Sequence, residues 1–211
     1  MSLPKKSLWT IIVILLILIA DQILKIWVKT HMTLYANDIR IADWFIIRFV
    51  ENNGMAMGIE LSGGKLFLTI FRIIASLAIA RYLYLLIKRN VRFSYILFVS
   101  MIFAGAVGNI FDSVFYGVIF SESTPINVAS LFPPEGGYGT WLHGRVVDMF
   151  YFPLFSFTWP NWIPVIGGTG FEFFRYIFNL ADASISVGII VIILFYRKIF
   201  TLSFEKKVIE T

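Results

Sequence analysis

Four stretches of this chain stay apolar for about twenty residues each, which is what a helix needs to cross a hydrocarbon layer of about 30 Å. In lipid the backbone must satisfy its own hydrogen bonds, so a spanning segment of this kind is helical. The runs at roughly 8–29, 66–87, 93–116 and 177–197 predict four transmembrane helices. With 58% of 211 residues hydrophobic and 15% charged, the chain is too apolar for a soluble domain. The first run follows Lys5 and Lys6 as a secretory signal peptide would. No small-residue cleavage site succeeds it, however, and it continues past Asp21, so it reads as a retained helix.

The net charge of +5 does not point to nucleic acid, because the basic residues sit in short clusters beside apolar runs. Lys5 and Lys6, then Lys88, Arg89 and Arg92, then Arg197, Lys198, Lys206 and Lys207 fall on one side of a four-span arrangement. The positive-inside rule makes that side cytoplasmic, with both termini there. Two longer segments, about 30–65 and 117–176, then face outward. No internal repeat or low-complexity linker divides the chain, which is expected to be a single integral-membrane domain over 1–211.

In the first outward segment, WFIIRFV favours a short strand, ended by Asn52, Asn53 and Gly54. Asn-Gly is a strong turn signal, so by itself this triplet reads as a hairpin tip. The second outward segment is rich in turn formers and then in rings. Tyr151, Trp159 and Trp162 suit a belt at the membrane–water boundary.

Polar residues gather where these segments meet the helices. Asp21 and Lys25 stand four apart on the first helix, in the favourable order for an ion pair. Asn109 and Asp112 are three apart at the end of the third, beyond a small face of Ala104, Gly105 and Gly108. Asn179 and Asp182 repeat the spacing at the start of the fourth, where Ser184 and Gly188 offer another close-packing face. Asp148 lies among apolar neighbours in a strand or loop. An ionisable group at mid-membrane costs roughly 2.5–3.5 kcal/mol, so a set of them assigned to one membrane face points to function.

The available chemistry is narrow. Without cysteine, thiolate catalysis and cysteine-bound zinc are excluded, and His31 and His143 belong to no metal-binding motif. No G-x-S-x-G elbow is present. Carboxylates remain. Two close carboxyl groups share a proton, and such a pair can activate water without a cofactor or metal. That would also lessen the charge Asp182 carries beside lipid, with Asp148 the best second member. A proton-coupled transporter is the alternative, but it predicts polar residues spread through the membrane depth and an inverted repeat. A noncatalytic assembly subunit would leave the outer-face carboxylates unexplained.

The segments DQILK (21–25), NNGMAM (52–57), GAVGNIFD (105–112), GRVVDMF (144–150) and FNLAD (178–182) closely resemble, in order, the five sequence boxes of bacterial lipoprotein signal peptidases, or signal peptidase II. The resemblance implies an all-α membrane protein of four helices with a small extracytoplasmic β-cradle, in the bacterial inner membrane. It implies an aspartic endopeptidase that cuts prolipoproteins before a cysteine already carrying diacylglycerol. Its catalytic pair would be Asp148 and Asp182. Asp21, Lys25, Asn52, Gly54, Asn109, Asp112, Asn179 and Ala181 would shape the site. Expected partners are lipid-modified prolipoproteins, membrane lipids and globomycin-type inhibitors, with no nucleic acid.

The chain departs from the family pattern in three places. The third box usually ends Asp-Arg, and here Ser113 follows Asp112; Arg145 is the expected substitute for the missing guanidinium. Met57 replaces an aromatic residue, and the segment at about 117–143 is longer than usual.

Overall fold

The computed structural model describes residues 2–53 and 64–204. Its long helices are apolar outside and polar inside. Helix α1 (Leu3–His31) begins with Pro4 in its first turn, where a missing N–H costs nothing. Ile11, Leu15, Ile19 and Ile23 recur every fourth residue and are exposed, as a lipid-facing stripe must be. Asp21, Lys25, Val28 and Lys29 are buried on the inner side. Lys6 ties the start of α1 to the turn between the next two helices, donating to Asn90 Oδ1 at 2.7 Å and to the Val91 carbonyl at 2.7 Å.

Strands β1 (Ile39–Ala42) and β2 (Phe45–Asn52) precede helices α2 (Gly64–Lys88) and α3 (Phe93–Phe111). Helix α3 is central: 44% of its apolar span is buried, against 17% for α1 and α2. It continues through a π-helical turn, Asp112–Tyr116, into a short helical turn α4 (Gly117–Ile119). Such widened turns are frequent at functional sites. After an irregular stretch come β3 (Val146–Tyr151), β4 (Phe155–Thr158), β5 (Gly170–Phe173) and β6 (Ile177–Phe178), then helices α5 (Leu180–Phe195) and α6 (Arg197–Phe204).

Among the described residues three helices are long and apolar enough to cross a membrane, and a fourth span arises if α5 and α6 are taken together. The two meet at a 92° bend, and of the predicted run at 177–197 the start is strand β6 while α5 takes up Leu180–Phe195. The β-rich region is also larger than an all-α description admits. Four strands form an antiparallel sheet in the order β1-β2-β3-β6, and β4 and β5 form a separate ribbon. The β-branched and aromatic residues of the outward segments account for these strands.

The sheet register positions the acidic residues. Val50 pairs with Asp148, and Phe150 pairs with Phe178, one residue before Asn179. Strand β3 thus stands beside the entry to α5. Tyr151, expected in an interfacial belt, is instead only 8% exposed and lies under the Arg48 guanidinium, whereas Trp162 is 80% exposed.

Close helix packing completes the frame. A Cβ on Gly105 would overlap the Ala181 carbonyl, and one on Gly188 would come within 2.6 Å of Ile102. These glycines bring α3 and α5 together over their length, as small residues do between membrane helices. The 117–143 segment is packed as well: Phe120 and Ala129 are buried with Val28, Phe49 and Val147.

Candidate active site

Asn179 joins the two ends of the site. It caps α5: its Oδ1 accepts from the Asp182 amide at 2.8 Å, and its own amide donates back to Asp182 Oδ2 at 3.4 Å. This reciprocal cap satisfies amide groups that a helix start leaves free. The other side of the same amide, Nδ2, donates to Asp148 Oδ1 at 2.7 Å and to Asn109 Oδ1 at 3.1 Å. Asn109 Nδ2 donates in turn to Asp182 Oδ1 at 2.7 Å. Asp148 and Asp182, thirty-four positions apart in the sequence, therefore share one network of asparagine amides.

The two carboxyls have different surroundings. Asp148 is 3% exposed, and Asp182 is half-buried. Burial, reinforced by the charge of Asp182, pushes the Asp148 carboxyl up to about 7, and hydrogen bonds from Asn52 and Asn179 oppose the shift. Asn52 Nδ2 reaches Asp148 Oδ2 at 3.3 Å from the end of β2.

Beneath the pair lies a buried ionic cluster. Lys25 Nζ is 2.9 Å from Asp21 and 2.8 Å from Asp112, and all three are at most 1% exposed. The same ammonium donates to Asn109 Oδ1 at 2.9 Å, which orients that amide toward Asp182. Asp21 Oδ1 accepts from the Ala181 amide at 2.9 Å, and Asp112 Oδ2 accepts from Val147 N at 3.3 Å. Each carboxylate thus grips the backbone one residue from an aspartate of the pair. A Cβ on Gly108 would lie 2.8 Å from Asp21 Oδ2 and 3.3 Å from the Ala181 side chain, so small residues are required there.

Of the residues expected from sequence, Asp21, Lys25, Asn52, Asn109, Asp112, Asp148, Asn179, Ala181 and Asp182 belong to this one network. Gly54 and Met57 lie outside the described residues. Arg145 does not fill the place of the missing arginine: its guanidinium bonds Glu51 at 3.1 Å and Glu122 at 3.2 Å and lies over the Tyr138 ring. Arg72 of α2 comes to that corner instead, 3.4 Å from Ser113 Oγ and within electrostatic range of Asp182, Asp112 and Asp148. An arginine inside an apolar span was the signal for it. Gln22 was also passed over. It donates to Asp112 Oδ1 at 3.0 Å and accepts from the Tyr116 hydroxyl at 3.0 Å.

Comparison with known proteins decides the family. The sequence model described as signal peptidase (SPase) II matches residues 13–198. The chain belongs to the signal peptidase II family. A lipoprotein signal peptidase of Porphyromonas gingivalis is 50% identical over 196 residues, covering 92% of this chain and 85% of that protein. One from Amoebophilus asiaticus is 35% identical, covering 90% and 78%. Two solved structures, each described as a bacterial membrane enzyme, superpose with TM-scores of 0.58 and 0.59 at 25% and 26% identity. They cover 88% and 94% of this chain, and 90% and 93% of their own. The chain is thus a bacterial membrane peptidase of this family, with spanning helices and a small sheet region.

Proposed function

We propose that this chain is an aspartic endopeptidase that removes signal peptides from diacylglyceryl-modified prolipoproteins, cutting before the lipidated cysteine. One observation carries the reading: a single side chain, Asn179, bonds Asp148 and caps the helix turn bearing Asp182. Family membership supports the substrate class. In this reading Asp148 and Asp182 are the catalytic pair, and the chain is one domain of four spans with both termini in the cytoplasm. The pair faces the outer side of the inner membrane, where the substrate's acyl chains stay in lipid.

The chemistry follows from the asymmetry of the two carboxyls. They hold one proton between them. Burial biases that proton toward Asp148. Ionised Asp182 takes a proton from water as its oxygen attacks the scissile carbonyl carbon. The Asp148 proton passes to the carbonyl oxygen, giving a neutral gem-diol and leaving Asp148 ionised. Collapse of that intermediate breaks the C–N bond; the Asp182 proton goes to the leaving nitrogen, and a diol proton returns to Asp148. Asn52 holds Asp148 Oδ2 and Asn109 holds Asp182 Oδ1, while Asp21 and Asp112, joined by Lys25, fix the surrounding backbone. A globomycin-type peptide would bind across the pair.

Asp148→Asn and Asp182→Asn, assayed in proteoliposomes with a lipidated prolipoprotein peptide, test this. Each should abolish cleavage while the protein still inserts and unfolds like wild type. Substantial cleavage by both variants would end the mechanism, and equal cleavage of unlipidated peptide would end the substrate assignment.

A further inference from the structure

At the end of the bundle away from Asp148 and Asp182, the helices leave a cavity of about 580 Å³. That volume lies within the ~300–1,000 Å³ common for ligand pockets. Its walls include Ile79 of α2, Val99 of α3, and Ile189 and Ile193 of α5. Along α3, Val99 lies ten residues before Asn109, which is about 15 Å of helix rise. The cavity therefore does not belong to the aspartate site.

Its polar wall groups already have partners. Tyr82 Oη is 2.6 Å from Tyr95 Oη and 2.6 Å from Ser203 Oγ, and Thr201 Oγ1 donates to the Arg197 carbonyl at 3.2 Å. A ligand in the groove must accordingly be apolar. Arg197 differs. It lines the same cavity and is exposed, and its guanidinium makes no hydrogen bond or ion pair with any described residue. It stands where the chain turns by 92° from α5 into α6. That turn carries α6 away from the axis of α5. Lys198 is exposed beside it, and Arg92 lies over the Tyr196 ring. An apolar slot opening at a basic rim is complementary to one kind of molecule, a lipid whose head is anionic.

We propose that this groove holds an acyl chain of an anionic phospholipid whose phosphate pairs with Arg197. A guanidinium suits this role because its fork of donors meets phosphate oxygens bidentately. The bundle end then carries a lipid-binding site separate from the peptidase site.

The full chain in detergent, titrated with phosphatidylglycerol or phosphatidylcholine of equal chain length, provides the test. Thermal unfolding and native mass spectrometry are the readouts. Phosphatidylglycerol should raise the unfolding temperature by several degrees more than phosphatidylcholine and remain bound in greater amount. Arg197→Gln should erase that preference. Ile193→Trp, which fills the groove and leaves Arg197 in place, should erase it as well. Both variants should cleave lipidated peptide at wild-type rates in phosphatidylcholine, which separates loss of the lipid site from general damage. Equal effects of the two lipids on wild type, or an intact preference in Arg197→Gln, overturn the proposal. Glycerol phosphate distinguishes the sources of the anion: if this chainless head group reproduces the full shift, the groove has no part and the lipid assignment falls.

Discussion

Asn179 Nδ2 lies 2.7 Å from Asp148 Oδ1, although the two residues come from different elements, a helix cap and a strand. One side chain thus does two separable things: its carbonyl oxygen starts α5, and its amide hydrogens position a carboxyl. Asn179→Ala removes both and should cost about 1 kcal/mol of stability from the lost cap. Asn179→Asp keeps a good cap but has no hydrogen to donate. The new carboxyl, buried against the oxygens of Asp148 and Asn109, should lower the unfolding temperature and cost at least about a hundredfold in kcat, a scale of loss seen when a positioned catalytic contact is removed. Wild-type turnover in Asn179→Asp would show that the bond to Asp148 is dispensable.

The raised Asp148 carboxyl sets a pH dependence. The pair must keep one proton, so kcat should fall on the alkaline side of an apparent value near 7. The bond from Asn52 favours the ionised form, so Asn52→Ala should move this limb to higher pH. The sign for stability is the opposite of a paired carboxylate's. Between 3.8 and about 7 the folded chain keeps a proton that the unfolded chain has lost, so this group's contribution declines as pH rises across that window. A pH–rate profile of both proteins checks the first claim, and a limb that stays in place in Asn52→Ala contradicts it.

Polar residues within apolar helices were legible in the sequence because their cost demands a reason, and Asp21, Lys25, Asn109 and Asp112 do meet in one cluster. Asp148 and Asp182 could be named from local motifs. Their shared network depends on β3 pairing with β6, a long-range register that local patterns do not reveal. The widened turn at Asp112–Tyr116 and the bend after Phe195 left no composition signal either. Arg145, offered as the substitute for the guanidinium absent at Ser113, is instead absorbed by Glu51 and Glu122. Arg72 was missed although it lies inside an apolar run, where a charge calls for a reason as much as Asp21 does.

The meeting of Arg72 and Ser113 yields a compensation test. If Arg72 supplies the guanidinium expected after Asp112, Arg72→Gln should lower kcat by about tenfold or more while the fold persists. Adding Ser113→Arg to that variant should restore part of the loss, because the charge returns to the same corner. A double variant no better than Arg72→Gln would mean that Arg72 serves another purpose.

The long segment between α3 and β3 is held by a second ionic hub. The Glu51 side chain is 2% exposed and pairs with Lys29, which is fully buried among the rings of Phe49, Phe120 and Tyr138. Glu51 also accepts from Ser123 at 2.9 Å and Arg145 at 3.1 Å, so one carboxylate ties together α1, β2, the 117–143 segment and the approach to β3. Removing one partner of such a pair leaves an uncompensated buried charge and typically costs about 3–5 kcal/mol. Glu51→Leu should therefore be strongly destabilised, more than a surface ion pair could explain. Lys29→Met combined with Glu51→Leu replaces both charges with apolar groups and should recover most of the loss. Thermal unfolding of the wild type, both single variants and the double variant completes the cycle. If the double variant is as unstable as the sum of the singles, the two charges do not act as a pair, and packing of the segment alone must hold it.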